Sequence, residues 1–157
     1  MTKSMDGKVA IVTGAFRGLG KAYAEALAKE GASVVCADIR YCDETVAQIV
    51  QAGGKAVAAT CDVTDMAQCQ AMADLAISRY GRIDVLVNNA ALYADMKGGK
   101  FDSLEPAEWQ RMLDINVTGM WHCCKAVIGQ MREQQMPEWR AIAPVPAAAA
   151  SVPVAVS

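Results

Sequence analysis

The chain has 157 residues, which is long enough for one domain with a hydrophobic core and too short for two. Hydrophobic residues make up 54 %, which excludes disorder throughout, and the net charge of −2 gives no electrostatic basis for binding nucleic acid or an anionic membrane. Because the sequence shows neither an apolar run long enough to span a bilayer nor a signal peptide, we expect a soluble, cytoplasmic protein.

Four short, β-rich apolar runs predict the strands of a parallel sheet. The first covers residues 8–13 and is closed by Gly14. The other three cover residues 33–38, 55–61 and 83–89. Because helical segments separate successive strands, the pattern predicts βαβ units with helices on both faces of the sheet.

Five helices are predicted between and after these strands. The first begins at about Gly18 and stops at Gly31; Asp43 is expected to cap the second, which stops at residues 53–54; the third covers residues 65–80 and stops at Gly81. Pro106 suits the first turn of the fourth. Four of the helices carry a stripe of apolar side chains on one face. The stripe is Leu19, Tyr23, Ala26 and Leu27 in the first helix and Val46, Ile49 and Val50 in the second. It is Trp109, Met112 and Leu113 in the fourth helix, with Asn116 at the next position of the same face, and Val117, Met120, Trp121, Cys124, Val127, Ile128 and Met131 in the fifth.

The turn TGAFRGLG, residues 13–20, carries the clearest chemical signal. It lies between the first strand and the first helix, with the spacing Gly14-x-x-x-Gly18-x-Gly20. Glycine allows a tight turn and the close approach of a ligand, and the free N–H groups and dipole at a helix start favour a phosphate. The turn therefore predicts nucleotide binding, with a glycine turn used only for packing as the alternative.

Asp38 lies at the end of the second strand, where its carboxylate predicts which nucleotide is bound. A carboxylate there accepts hydrogen bonds from the ribose hydroxyls of an adenosine and repels a 2′-phosphate. This favours NAD over NADP as the cofactor, although Arg17 and Arg40 are nearby cations that soften the preference. A solvated aspartate at a strand end is the alternative.

The six cysteines are expected to be reduced thiols that pack as small hydrophobic residues. The sequence contains no C-x-x-C pair, and its only histidine is His122, beside Cys123 and Cys124. A soft-metal cluster of these three residues is the alternative to thiols that only pack. Adjacent residues on a helix point in different directions, so we predict no metal site.

Four motifs follow one another along the chain: TGAFRGLG at residues 13–20, CDVTD at 61–65, NNAA at 88–91 and DINVTG at 114–119. With them, residues 8–135 resemble the short-chain dehydrogenase/reductase family, whose members are Rossmann-fold oxidoreductases that move hydride between a nicotinamide and an alcohol or carbonyl. The resemblance implies an NAD(P)-dependent enzyme that interconverts a secondary alcohol and a ketone.

The resemblance also implies a role for each matching residue. Thr13, Gly14, Arg17, Gly18, Leu19 and Gly20 would form the pyrophosphate turn, Asp38 and Ile39 would hold the ribose, Asp62 and Val63 would border the adenine, and Asn89, Ala90 and Ala91 would run beneath the cofactor.

Asn116 matches the family's asparagine, which supports a proton-relay water near the catalytic groups. It also falls on the apolar stripe of the fourth helix, so it is expected to face the core, where a buried amide needs hydrogen-bond partners. A satisfied core asparagine that shapes the helix is the alternative to the catalytic role.

The acid/base residues of the family have no counterpart where they are expected. The family uses a Tyr-x-x-x-Lys pair with an upstream serine, all located after the asparagine, where the lysine lowers the pKa of the tyrosine. No tyrosine follows Asn116, and Lys125 is the only lysine after it. Tyr93 and Lys97 have the spacing, but they directly follow NNAA and are predicted to lie in a loop.

The sequence thus predicts two parts. Residues 1–136 form a partial α/β Rossmann domain, a doubly wound sheet of four parallel strands in the order 3-2-1-4 with right-handed crossovers. Residues 137–157 hold four of the five prolines and form an atypical, flexible tail rich in alanine and valine. A truncated, catalytically inactive nucleotide-binding module, or a nonfunctional fragment, is the alternative to an enzyme.

Self-association is also expected. The outer edge of the fourth strand, at Val85, Leu86 and Val87, has no identified partner, and an open apolar edge pairs readily with another chain. The helical stripe that contains Trp121 matches a segment that helps to form subunit contacts in the family. We therefore predict a homo-oligomer or another self-associating state.

Overall fold

Four parallel strands form one sheet in the order β3-β2-β1-β4, as predicted. The computed structural model describes residues 3–92 and 100–135. Within them the strands are β1 (Val9–Thr13), β2 (Ser33–Asp38), β3 (Lys55–Thr60) and β4 (Val85–Val87). The predicted tail at residues 137–157, Tyr93 and Lys97 lie outside the described residues.

The strand register brings the predicted site residues to one edge of the sheet. Thr13 pairs with Ala37 of β2, and Val12 pairs with Val87 of β4. Asp38 pairs with Thr60 and lies one residue beyond Ala37, the partner of Thr13. Because all four strands are parallel, the segments that follow them emerge at this same edge.

The described ranges contain five α-helices: α1 (Gly18–Lys29), α2 (Asp43–Gln51), α3 (Met66–Tyr80), α4 (Pro106–Leu113) and α5 (Gly119–Gln135). A short 3-10 turn (Phe101–Ser103) precedes α4, and a π-helical turn (Asp114–Thr118) joins α4 to α5.

Side chains from alternate positions of the strands enter two separate hydrophobic clusters. Ile11 and Val35 pack with α3 and α5 on one face, and Val12 and Val34 pack with α1 and α2 on the other. All five residues of β1 are buried, as expected for a parallel strand that is covered on both faces.

α3 lies within one residue of its predicted range and stops at Gly81 as predicted. Asp65 is the N-cap, and its carboxylate accepts hydrogen bonds from the N–H groups of Ala67 at 2.8 Å and Gln68 at 3.4 Å. Gly81 ends the helix with a φ of +78°. The prediction for α2 was less accurate, because the N-cap is Cys42 and Asp43 is the first helical residue.

The apolar face predicted for α1 only partly matches the face that packs on the sheet, where Leu27 is half-buried against the core. Leu19 and Tyr23 are exposed, whereas Gly20, Ala24 and Ala28 are buried. Small residues spaced four apart let the backbone of α1 approach the sheet closely, so the larger side chains point away from it. Trp109 of α4 is likewise exposed, and no residue of α4 is fully buried.

Exposed apolar surface is present near the start of α5 and along it, whereas the three side chains of β4 are half-buried. Among the described residues β4 pairs only with β1, and it is shorter than the predicted strand at residues 83–89. Val117 in the π-helical turn and Met120, Trp121 and Ile128 on α5 are each at least 42 % exposed. Within the described ranges, no helix has the length and apolar character needed to cross a membrane.

Candidate functional site

A cleft of about 950 Å³ opens at the carboxyl ends of the four strands. Such an edge of an open parallel sheet is where ligands bind in doubly wound folds. The residues that follow each strand contribute to it: Gly14 after β1, Asp38 at the end of β2, Cys61 after β3 and Asn89 after β4.

The glycine turn shapes the floor of this cleft. Gly14 has a φ of +68°, and a Cβ added there would lie 2.7 Å from Nδ2 of Asn89, so a side chain would fill space that the turn needs. Gly18 has a φ of +60° and open space around it. A Cβ on Gly20 would overlap the carbonyl oxygen of Gly14. The turn is therefore both tightly packed against residues 89–90 and open on its outer side.

The N-terminus of α1 faces outward from this turn without a side-chain cap. Arg17 is the N-cap residue, and its side chain makes no capping hydrogen bond. The first N–H groups of a helix lack partners within the helix, and together with the dipole they form a site for an anion. This end of α1 can therefore accept a phosphate group.

Thr13 fixes the strand end that lies beside the turn. Its hydroxyl oxygen accepts hydrogen bonds from the N–H groups of Asn89 and Ala90, each at 3.1 Å, and donates to the carbonyl of Val87 at 3.3 Å. The side-chain amide of Asn89 donates to the carbonyls of Thr13 at 3.0 Å and Gly14 at 3.3 Å. Residues 89–90 and the glycine turn are thus held as one unit.

Asp38 is held in place by two backbone donors. Its Oδ2 accepts a hydrogen bond from the N–H of Phe16 at 3.3 Å, and its Oδ1 accepts one from the N–H of Arg40 at 3.0 Å. The guanidinium of Arg40 lies 5.3 Å from the centre of the Phe16 ring. Asp38 and Arg40 both line the cleft.

Residues 61–64 form the wall of the cleft after β3. The Asp62 N–H donates to Oε1 of Gln68 at 2.9 Å, and Oδ1 of Asp62 accepts hydrogen bonds from both the N–H and the hydroxyl of Thr64. The Val63 carbonyl accepts a hydrogen bond from Nδ1 of His122 on α5 at 2.9 Å. This short loop is therefore held both by α3 and by α5.

Asn116 lies in the π-helical turn, and its side-chain amide makes hydrogen bonds to both backbone groups of one residue, Leu92. Oδ1 accepts a hydrogen bond from the N–H of Leu92 at 2.8 Å, and Nδ2 donates to the Leu92 carbonyl at 3.2 Å. It is partly exposed, whereas the apolar stripe predicted a core position. π-Helical turns are frequent at functional sites, and here the turn presents Asn116 to the segment that leaves β4.

Most of the predicted site residues share the cleft. Nine of them line it: Gly14, Arg17, Asp38, Ile39, Asp62, Val63, Asn89, Ala90 and Ala91. The other five do not: Thr13, Gly18, Leu19, Gly20 and Asn116. Thr13 and Gly20 support the turn from behind, and Leu19 is 68 % exposed on the outer side.

Sequence reasoning missed the opposite wall of the cleft, which α4 and the π-helical turn provide. Its residues are Ala107, Gln110, Arg111, Asp114, Ile115 and Thr118, with Leu92 nearby. The residues of α4 have the pattern of an ordinary amphipathic helix, so no local signal distinguishes them, and from the DINVTG motif at residues 114–119 only Asn116 was predicted as a site residue. The position of α4 and the π-helical turn across the cleft from the strand ends brings these residues to the site.

The cysteines behave as packing residues in this structure. All six are free; five are buried and Cys124 is exposed. Burial raises the pKa of the Cys36, Cys42 and Cys61 thiols to about 12 and also raises the pKa of Cys69 and Cys123. The described residues contain no group of three or more ligands suited to a metal ion.

Comparison with known proteins agrees with this geometry. The family model described as short chain dehydrogenase matches residues 8–138. Glucose 1-dehydrogenase 2 of Bacillus subtilis is 40 % identical over 139 residues, which cover 87 % of this chain and 53 % of that protein. The chain spans about half the length of the curated relatives it matches.

Two solved structures show the same fold with different cofactors. Carveol dehydrogenase from Mycobacterium avium, in complex with NAD, is 31 % identical with a TM-score of 0.79, and the match covers 87 % of this chain and 53 % of that one. A metagenomic short-chain oxidoreductase in complex with NADP is 34 % identical with a TM-score of 0.77, and the match covers 84 % of this chain and 60 % of that one.

Proposed function

The chain belongs to the short-chain dehydrogenase family, and from this premise we propose that it binds a nicotinamide dinucleotide, NAD in preference to NADP, as the cofactor-binding part of an oxidoreductase. The observation that carries the proposal is the uncapped start of α1 above the packed glycine turn, with Asp38 on the same cleft.

The residues around the cleft fit the parts of such a cofactor. The N-terminus of α1 with Gly14 and Gly18 would hold the pyrophosphate, and Asp38 and Ile39 would hold the adenosine ribose. Asp62 and Val63 would border the adenine, while Asn89, Ala90 and Ala91 would lie beneath the nicotinamide half. When bound, the cofactor would supply a hydride donor or acceptor at its nicotinamide ring.

The supporting residues act from behind this surface. Thr13 and Gly20 would keep residues 89–90 against the turn, with Arg17 and Leu19 flanking its outer side. For Asn116 we propose a supporting role, because its amide is engaged with the Leu92 backbone and would hold the segment after β4 in place.

Titration of the chain with NADH tests the proposal. Binding is expected to raise the fluorescence of the reduced nicotinamide, and AMP should compete because it occupies the adenosine half of the cleft. A matched titration with NADPH should give weaker binding. Unchanged NADH fluorescence, together with no heat of binding by calorimetry at millimolar cofactor, would refute the proposal.

The preference for NAD is tested by Asp38→Asn, which keeps an acceptor for the turn and removes the charge. Two unit charges about 4 Å apart repel by about 1 to 4 kcal/mol at effective dielectric constants between those of water and a protein surface. The ratio of the NADPH and NADH dissociation constants should therefore fall by about fivefold or more. Asp74→Ala, on the exposed face of α3, is the control and should leave the ratio unchanged.

The second candidate is a module that binds the cofactor without catalysing hydride transfer. It is favoured by the sequence after Asn116, which contains no tyrosine and only Lys125 as lysine. Incubation with NAD and a panel of secondary alcohols separates the two candidates. NADH production that tracks the purified protein would reject the inactive module; binding without turnover would support it.

We further propose that the chain self-associates through the exposed apolar side of α5. Val117, Met120, Trp121 and Ile128 are the exposed side chains that support this. Trp121→Glu should shift sedimentation towards the monomer, whereas Val50→Glu, an equally exposed site on α2, should not. A monomeric wild-type chain would disprove the assembly.

We also propose a cytoplasmic location, which the six free cysteines support.

A further inference from the structure

We propose that His122 is a positioning residue that fixes the adenine side of the cleft by holding the Val63 carbonyl. The inference rests on the proposed binding of a nicotinamide dinucleotide. Nδ1 of His122 lies 2.9 Å from the Val63 oxygen, although the two residues are 59 positions apart in the sequence. Since a carbonyl only accepts, Nδ1 must carry the hydrogen.

The loop that His122 contacts is a wall of the cleft. Residues 61–64 all line it, between the end of β3 and the start of α3. Their other side-chain hydrogen bonds are local: Gln68 accepts from the Asp62 N–H, and Asp62 accepts from Thr64. These bonds fix the shape of the loop but do not tie it to a distant element.

The thiol of Cys69 also approaches the Val63 carbonyl, at 3.6 Å, but a thiol is a weak donor and α3 is the helix that directly follows the loop. The imidazole is thus the stronger contact and the one that comes from another part of the chain. It joins the loop of residues 61–64 to α5, whose opposite end holds the segment before β4 through hydrogen bonds between Gln134 and the Ile83 backbone.

A second contact between α5 and the same loop supports this assignment. A Cβ added to Gly119 would lie 2.6 Å from Cγ2 of Val63, so the helix backbone lies directly against the Val63 side chain. Gly119 limits the position of the side chain, and His122, one turn later, holds the carbonyl. Val63 is therefore held at two points by α5, and its position follows that helix.

Two substitutions separate the hydrogen bond from the bulk of the ring. His122→Phe keeps a ring beside Trp121, whose centroid lies 5.3 Å from that of His122, but removes the donor. His122→Asn places a side-chain N–H at the same number of bonds from Cα as Nδ1, and asparagine and histidine have similar helix propensities. Lys125→Met, which changes an exposed residue on the same helix, is the control.

The dissociation constants for NADH and AMP are measured for the full chain and these variants. We expect His122→Phe to weaken both ligands equally, by about threefold to tenfold, as for one lost hydrogen bond. His122→Asn should restore both to within about twofold of wild type, which loss of packing alone would not allow. Lys125→Met should bind like wild type.

Amide hydrogen exchange without ligand measures the tether directly. Residues 62–65 should exchange faster in His122→Phe than in His122→Asn. Equal exchange in both, or unchanged AMP binding by His122→Phe, would overturn the role of His122 while leaving the proposed function intact. Failure of the wild-type chain to bind NADH or AMP would overturn the proposed function and the positioning role with it.

Discussion

Replacement of Thr13 by valine tests the junction between the sheet and the cleft. Valine keeps the shape of threonine and its preference for strands, but it has no hydroxyl. The hydroxyl of Thr13 accepts hydrogen bonds from the N–H groups of Asn89 and Ala90 and donates to the Val87 carbonyl. Thr13 itself is only 2 % exposed, so little water can replace it in Thr13→Val.

The expected cost follows from the groups left without a partner. Each polar group that loses its partner costs about 1–3 kcal/mol when buried, and the two N–H groups here are partly buried. The free energy of unfolding should therefore fall by about 2–4 kcal/mol, a large part of the stability of a domain of this size. The melting temperature should fall by about 5–15 °C.

Urea unfolding followed by circular dichroism measures this loss. Thr13→Ser is the control, because it keeps the hydroxyl and loses one methyl group, which costs about 1 kcal/mol. The NADH affinity of Thr13→Val should also fall, since Asn89 and Ala90 line the cleft. A Thr13→Val stability equal to wild type, or equal to that of Thr13→Ser, would refute the reasoning.

Two other predictions concern charge and thiols. Burial alone would raise the pKa of Asp84, but hydrogen bonds from Arg82 and the Val9 N–H, with the charges of Arg82 and Lys8, hold it below its ordinary value of 3.8. The ionised Asp84 should therefore stabilise the fold fully above that value, and this contribution should be lost as the pH falls through the folded pKa. In Asp84→Asn the free energy of unfolding should be about 1.5–3 kcal/mol lower at neutral pH, and it should fall less steeply as acid is added. Cys124, the exposed thiol, should be the one cysteine that reacts rapidly with a thiol reagent in the native chain. Rapid reaction of more than one thiol per chain, or of one thiol per chain in Cys124→Ser, would contradict the burial of the other five cysteines.

The parts of the fold with local signals were predicted well. The alternation of strands and helices predicted a parallel sheet, the strand order follows from the Rossmann fold that the motifs imply, and β2 was predicted to the residue. Asp65 and Gly81 mark the ends of α3 because a cap and a left-handed glycine act on their own helix. The sequence also placed the glycine turn after β1 and Asp38 at the end of β2, and the structure brings Gly14 and Asp38 to the same cleft.

The parts that depend on distant contacts were not predictable from a pattern. His122 meets a carbonyl 59 residues earlier, and Asn116 meets the backbone of Leu92, 24 residues earlier. The His122 contact has no period or motif within its own helix, and the DINVTG motif that contains Asn116 does not indicate Leu92 as its partner. The wall that α4 contributes to the cleft depends in the same way on where the chain places that helix relative to the strand ends.

The helix faces show which property of a side chain decides its burial here. On α5, Cys123, Ala126 and Val127 are buried, while the larger Trp121 and Ile128 are exposed; on α1, Ala24 and Ala28 are buried and Leu19 is exposed. Both helices have apolar residues on two sides, so hydrophobicity alone does not select the inner face. Small side chains let a helix lie closer to the sheet, and dense packing favours that arrangement. This close approach places Gly20 against Gly14 and Gly119 against Val63. The small residues that let the two helices approach the sheet therefore also shape the cleft.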